Sequence, residues 1–242
     1  MRSAELAGNF TSAADRADIN IPVYVHIVSS GESVKDGNIA DDVVTKQIEV
    51  INENYGVHNI TFTLKNVSRT VNEEWATQDT NGPMQEALHQ GDYATLNLYI
   101  VSDRRYLGIC QFPEEPTEDV IAHDGCVIVA SSVPGGVAPF DQGKTATHEI
   151  GHWFGLFHTF QDQSCSSGGD GISDTPQQLG PTSGCPTNAD SCPDQPGLDA
   201  VNNYMDYSDD SCYEEFTPEQ EQRMYNMYQQ YRAPAAAEQI SS

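Results

Sequence analysis

Apolar and polar positions alternate with period two at the first element. Ile19-Asn20-Ile21-Pro22-Val23-Tyr24-Val25-His26-Ile27-Val28 is β-branched and alternating, and predicts a strand. His26 within it reads as a packed or edge histidine. From Asp41 to Tyr55 the period lengthens. Val44, Ile48 and Ile51 share one helical face, Asp41 or Asp42 can cap the start, and Gly56 can end it. Ile60 to Leu64 alternates with threonine and reads as a second strand. Gly82-Pro83 opens a short helical segment through Leu88, closed by Gly91. Leu96 to Val101 predicts a third strand, with Leu96, Leu98 and Ile100 on one face. Cys126 to Ala130, mostly apolar, predicts a central fourth. The order β-α-β-α-β-β is an α/β arrangement.

Past residue 130 the pattern breaks. Residues 131–144 are punctuated by Pro and Gly and form a loop running from the sheet into a helix. Residues 161–200 are rich in Gly, Pro, Ser, Asp and Cys, without apolar period. Such a stretch cannot hold itself by core burial, so cross-links are expected in it. A last helix begins at Thr217, a capping residue followed by Pro218 at the first helical position, and Gln220 completes a T-x-x-Q capping box. Met224, Tyr225, Met227, Tyr228 and Tyr231 recur at helical spacing and read as core packing. Residues 1–18 are polar and read as a lead-in or the remnant of a removed pro-region, and 233–242 as a tail. At its length the chain could be one large domain or two small ones.

Composition changes this picture in two ways. The chain has 242 residues, 38% hydrophobic, and a formal charge of -25 from 36 acidic against 11 basic side chains. That charge argues against nucleic acid and anionic membranes as partners. Apolar runs are far too short to span a bilayer, and no amino-terminal stretch has a signal-peptide layout. The six cysteines include no C-x-x-C pair and fit a disulfide framework. Three N-x-S/T sequons, at Asn9, Asn59 and Asn66, add to the case for an oxidising, secreted setting.

The chemistry concentrates in His148-Glu149-Ile150-Gly151-His152-Trp153-Phe154-Gly155-Leu156-Phe157-His158, which reads H-E-x-x-H-x-x-G-x-x-H. His148 and His152 lie one helical turn apart and can both reach one zinc ion. Glu149 is placed to polarise a metal-bound water as general base. Gly155 tolerates positive φ, so the chain can bend there and return His158 as a third ligand. This is the metzincin pattern of zinc endopeptidases. A second cluster of oxygen donors, Gly169-Asp170-Gly171-Ile172-Ser173-Asp174-Thr175-Pro176, suits calcium and equally reads as an ordinary polar turn.

Further stretches join the zinc motif. Thr159-Phe160 follows the third histidine directly. Asn203-Tyr204-Met205-Asp206-Tyr207 resembles a Met-turn, and Cys212-Tyr213-Glu214-Glu215-Phe216-Thr217-Pro218-Glu219-Gln220 closes the pattern. The chain resembles the pappalysin family of metzincin metalloproteases, most of all its secreted fungal members, over roughly residues 19–232. Thr159, where adamalysin-like enzymes carry Asp, points the same way. The resemblance implies a metzincin-like zincin. Residues 19–158 would form an upper subdomain with a twisted mixed sheet and two long helices. Residues 159–232 would form an irregular, disulfide-stapled lower subdomain with a final helix. It implies His148, His152 and His158 as zinc ligands, Glu149 as general base, Met205 as the apolar floor beneath the metal, and Tyr207 as a residue that approaches the zinc or the transition state. It implies the pairs Cys165–Cys192, Cys185–Cys212 and Cys110–Cys126, the last pinning a loop against the central strand, and a calcium at Asp170 and Thr175. Relatives of this kind can prefer arginine near the scissile bond. Asp206, Asp209 and Asp210 could each supply the matching acid, and no sequence rule chooses among them.

The expected function is secreted, zinc-dependent endopeptidase activity on extracellular proteins or peptides by a monomer. A catalytically silent, zinc-stabilised binding module is the alternative; the intact Glu149 speaks against it.

Overall fold

The computed structural model describes residues 16–233. Five strands form one sheet: β1 (Ile19–Ser29), β2 (Ile60–Val71), β3 (Leu96–Val101), β4 (Gly108–Cys110) and β5 (Cys126–Val129), in the order β2-β1-β3-β5-β4. All neighbours are parallel except β4, which runs antiparallel to β5 at the edge. Pro22, which lacks an N–H, lies just ahead of the stretch of β1 that is paired on both sides, which starts at Val23. Among the described residues, six α-helices accompany the sheet: α1 (Asp41–Gly56), α2 (Glu73–Thr77), α3 (Asn81–Leu88), α4 (Glu118–Ala122), α5 (Lys144–Trp153) and α6 (Pro218–Met227). A single π turn, Tyr228–Arg232, continues α6.

The main core lies on one face of the sheet. Ile21, Val23, Val25 and Ile27 of β1 pack there against Val44, Ile48 and Ile51 of α1 and Ala146 and Ile150 of α5. Burying each large apolar side chain stabilises the fold by roughly 2 kcal/mol. Val28, Tyr99, Val101, Val127 and Val129 point to the opposite face and meet Ala76 of α2 and Met84 of α3. His26 is buried, bonded to Ser68 (2.8 Å) and Asn97 (2.9 Å), and is a packed histidine. Met224, Tyr225 and Met227 are core residues.

Several local expectations change. Ala40, not Asp41 or Asp42, is the N-cap of α1, and no side chain caps it. The two acids instead fall in the first turn, where they face the positive end of the helix dipole. β2 runs on to Val71 rather than ending at Leu64. Its second half is half-buried at the sheet's edge, so it lacks the apolar signal of its start. β5 ends at Val129, and Ala130 enters a 3-10 turn. Cys110 lies in an edge strand, not a loop, directly opposite Cys126, to which it is bonded with Cα atoms 4.1 Å apart. β5 is thereby an interior strand between β3 and β4. Cys165 bonds Cys192 and Cys185 bonds Cys212, leaving no free cysteine among the described residues.

Candidate active site

α5 begins after Gly143 and is buried from Thr145 to Trp153. Its start is anchored by α1: Tyr55 Oη donates to the Thr147 carbonyl (2.9 Å) and Asn54 Nδ2 to Thr147 Oγ1 (2.8 Å). Its end is set by Gly155, whose φ of 87° only glycine adopts readily. The chain then turns back, and His158 joins His148 and His152 with ligand nitrogens within 4.8 Å of one another.

The imidazole tautomers follow from their partners. His148 Nδ1 lies 2.6 Å from the Tyr204 carbonyl and His152 Nδ1 2.7 Å from the Leu156 carbonyl. A carbonyl only accepts, so each Nδ1 carries the proton and each Nε2 presents a lone pair. His152 Nε2 stands 3.1 Å from His158 Nε2. Three neutral imidazoles gathered this way are a donor set that fits zinc. Burial, and then the neighbouring imidazoles, hold His148 well below the usual histidine range and His152 at about 3; burial takes His158 to about 4.

Glu149 is 5% exposed, and its Oε2 is buried without a partner. Burial pushes its carboxyl up to about 8. The Met-turn lies against the histidines. Thr159 N donates to the Met205 carbonyl (3.2 Å), Met205 N to Asn203 Oδ1 (2.9 Å), and Met205 Sδ occupies the space a side chain on Gly151 would need. Tyr207, 47% exposed, places its ring 4.8 Å from His158 and 5.5 Å from His148. Burial and the nearby Glu149 raise its pKa.

A cavity of about 470 Å³ adjoins these groups, lined among others by Leu107, Gly108, Phe140, Thr145, Tyr213 and Tyr207 together with His148 and Glu149. Of the three acids left open, Asp206 is buried with both oxygens engaged, by Gln178 (2.9 Å), Thr182 N (3.1 Å) and Ser208 (2.8 Å). Asp209 is half-buried. Asp210 is buried; Gln142 N donates to its Oδ2 (2.8 Å), while Oδ1 has no partner. Asp170 and Thr175 are buried together: Asp170 Oδ1 accepts from Thr175 Oγ1 (2.8 Å) and Ile172 N (2.9 Å), and Oδ2 is unpartnered. Arg223 donates to the Asp170 and Gly171 carbonyls (2.7 and 3.0 Å).

Sequence reasoning missed the wall of the site: β4, Phe112 tilted against His152 (5.1 Å) and Phe160 stacked on His158 (4.9 Å). Leu107 to Cys110 does alternate in exposure, but three paired residues are too few for a periodic signal.

A buried H-E-x-x-H helix, a third histidine past a glycine bend and a methionine turn beside them define a metalloendopeptidase of the metzincin class. The chain belongs to the pappalysin family: residues 96–229 match the Peptidase_M43 family, described as pregnancy-associated plasma protein-A. It is 49% identical to an extracellular metalloprotease of Pyricularia oryzae over 95% of this chain and 82% of that one. It is 48% identical to one of Colletotrichum graminicola, over 91% and 80%. Mature mirolysin of Tannerella forsythia, solved in complex with a cleaved peptide, superposes with a TM-score of 0.74 at 30% identity, covering 88% of this chain and 92% of that one. The family implies zinc, and the histidine triad is where a metal could be held.

Proposed function

We propose that the chain is a secreted zinc endopeptidase in which His148, His152 and His158 hold the metal, Glu149 moves the proton and Tyr207 stabilises the oxyanion. The supporting observation is the gathering of ligand atoms of the three histidines within 4.8 Å of one another beside a cavity that His148 and Glu149 line, with Glu149 Oε2 left without a partner. When bound, zinc supplies Lewis acidity, acidifying water and polarising the substrate carbonyl. Glu149 Oε2 accepts the proton of the attacking water and returns it to the leaving amine. Burial of the carboxyl keeps bulk water away from it, so the proton passes between the attacking water and the amine. The Tyr207 hydroxyl, kept protonated by its raised pKa, donates to the developing oxyanion. Met205 supplies the apolar floor.

Substrate lies extended along the free edge of β4, and the cavity beside His148 receives one of its side chains. Asp210, buried with its Oδ1 unpartnered, is the acid for a basic side chain. Mirolysin's cleaved peptide supports a peptide substrate here, and the extracellular relatives support secretion. Asn59 and Asn66 are exposed and open to glycosylation; Asn9 lies outside the described residues. Calcium at Asp170 and Thr175 is supported by the unpartnered Asp170 Oδ2, which a cation would satisfy.

Cleavage-site profiling of a peptide library tests the reading. Glu149→Gln should keep one zinc per chain and lose about 10²- to 10⁴-fold in kcat/KM. Full activity in that variant rejects Glu149 as the base. Asp210→Asn should erase a preference for basic residues beside the scissile bond; an unchanged profile rejects Asp210.

A further inference from the structure

Gly108 stands so close to Glu149 that a side chain at 108 fits only if the Glu149 side chain moves. The two belong to different elements, 41 positions apart in number: Gly108 to the edge strand β4 and Glu149 to the metal-site helix α5. A Cβ built on Gly108 would stand 2.5 Å from Glu149 Cγ, 2.6 Å from Oε1 and 2.7 Å from Cδ. Real non-bonded carbon contacts begin well beyond 3 Å. The inward direction of that missing side chain follows from the pleat. Leu107 and Ile109 are exposed (37% and 45%), whereas Cys110, two residues from Gly108 and so on its face, is buried in the main core. The strand cannot back away, because three constraints fix it to β5. Gly108 is paired with Ile128, Val129 N donates to the Leu107 carbonyl (2.9 Å), and Cys110 is bonded to Cys126. The group that must give way is therefore the Glu149 carboxyl, which lines the cavity and has room to move there.

We propose that Gly108 is a positioning residue for catalysis: its missing side chain lets the edge strand close over the Glu149 carboxyl and fix where that carboxyl stands relative to the histidine triad. The proposal rests on Glu149 being the base. The glycine is required here by space and not by backbone conformation, since its φ is not positive. A methyl group at 108 would push the carboxyl off its place while leaving the histidines and their carbonyl partners untouched. A displacement on the order of 1 Å of a catalytic group costs up to about 10²-fold in rate.

A double-mutant cycle between positions 108 and 149, measured on the zinc-loaded enzyme, tests this. Gly108→Ala should retain one zinc per chain and lower kcat about 10- to 100-fold, with KM changed by less than about threefold. Glu149→Asp draws the carboxyl back by one methylene and makes room for the added methyl. In that background Gly108→Ala should cost less than about threefold. Val57→Ala, at an exposed position past the end of α1 and away from the site, serves as the control and should leave kcat within about threefold. Equal losses from Gly108→Ala in both backgrounds, or an unchanged kcat in the single variant, overturn the proposal. If Gly108→Ala does not fold, folding restored by Glu149→Asp supports it, and a double variant that also fails to fold overturns it. Failure of the underlying reading has a different signature: Glu149→Gln would then remain active, whatever Gly108→Ala does.

Discussion

At the scale of single residues, burial acts on His152 and Glu149 in opposite senses with one effect. It drives the histidine down to about 3 and the carboxyl up to about 8, so both favour their neutral forms. A neutral triad is what a zinc ion requires, and a carboxyl that holds a proton is what amine protonation requires. The raised carboxyl makes a prediction for metal-free protein. Between the ordinary value of 4.5 and about 8 the folded state binds a proton that the unfolded state has released. Stability from this group is therefore full below about 4.5 and is lost as pH rises through about 8. The lowered histidines act oppositely, losing stability as pH falls, but they are common to wild type and Glu149→Gln. The Tm of metal-free Glu149→Gln minus that of wild type should thus grow from pH 5 to pH 8, by an amount worth on the order of 1 kcal/mol or more. A constant difference, read by calorimetry, would reject the shift. His148, Glu149, His152 and His158 were all legible from spacing on one helix and a bend. Gly108 was not, because the requirement for glycine there is a clash with a side chain on another element.

At the scale of elements, legibility followed length and local chemistry. The capping box at Thr217 is present as read, with Thr217 N bonded to Gln220 Oε1 (2.8 Å) and Gln220 N to Thr217 Oγ1 (3.2 Å). The structure adds a second use for Gln220. Its amide pairs both ways with Asn203 (2.7 and 3.0 Å), and Asn203 holds Met205 N, so the start of α6 also braces the Met-turn. Asp174 accepts from Thr217 Oγ1 (2.6 Å) and Glu219 N (3.0 Å), which ties the glycine-rich loop to the same helix start. The three-residue β4 and the five-residue α2 and α4 carry too little pattern to be read. If calcium occupies the Asp170 turn, it should stabilise this loop and α6 together. Calcium at about 100 times its Kd should then add roughly 2.7 kcal/mol to wild type, seen as a rise in Tm. Asp170→Asn should abolish the rise, and a wild-type Tm insensitive to calcium rejects the site.

At the scale of the whole molecule, the net charge of -25 sets a field that every substrate crosses. For a lysine-rich peptide kcat/KM should fall several-fold as salt rises from about 20 mM to about 0.5 M, and for an acidic peptide it should rise. Equal salt responses from the two would show that the field does not reach the cleft. Arg232, in the turn that follows α6, is held by a buried contact set. The Arg232 guanidinium stacks 3.6 Å from the Trp153 ring and bonds Asp124 (2.8 Å), which also accepts from Trp153 Nε1 (2.9 Å). No periodicity announces this cluster, since its members come from three distant segments. By itself, the sequence determined the metal helix, the three histidines, the glutamate beside the first of them, the α/β order and the family, because helical spacing, bends and caps are local physics written in neighbouring residues. Only the tertiary structure decided the edge strand, the bracing of the Met-turn, the one unpartnered oxygen of Asp210 and the space that Gly108 leaves for Glu149. Those depend on which surfaces meet when distant segments pack, and contact across a fold leaves no period in the chain.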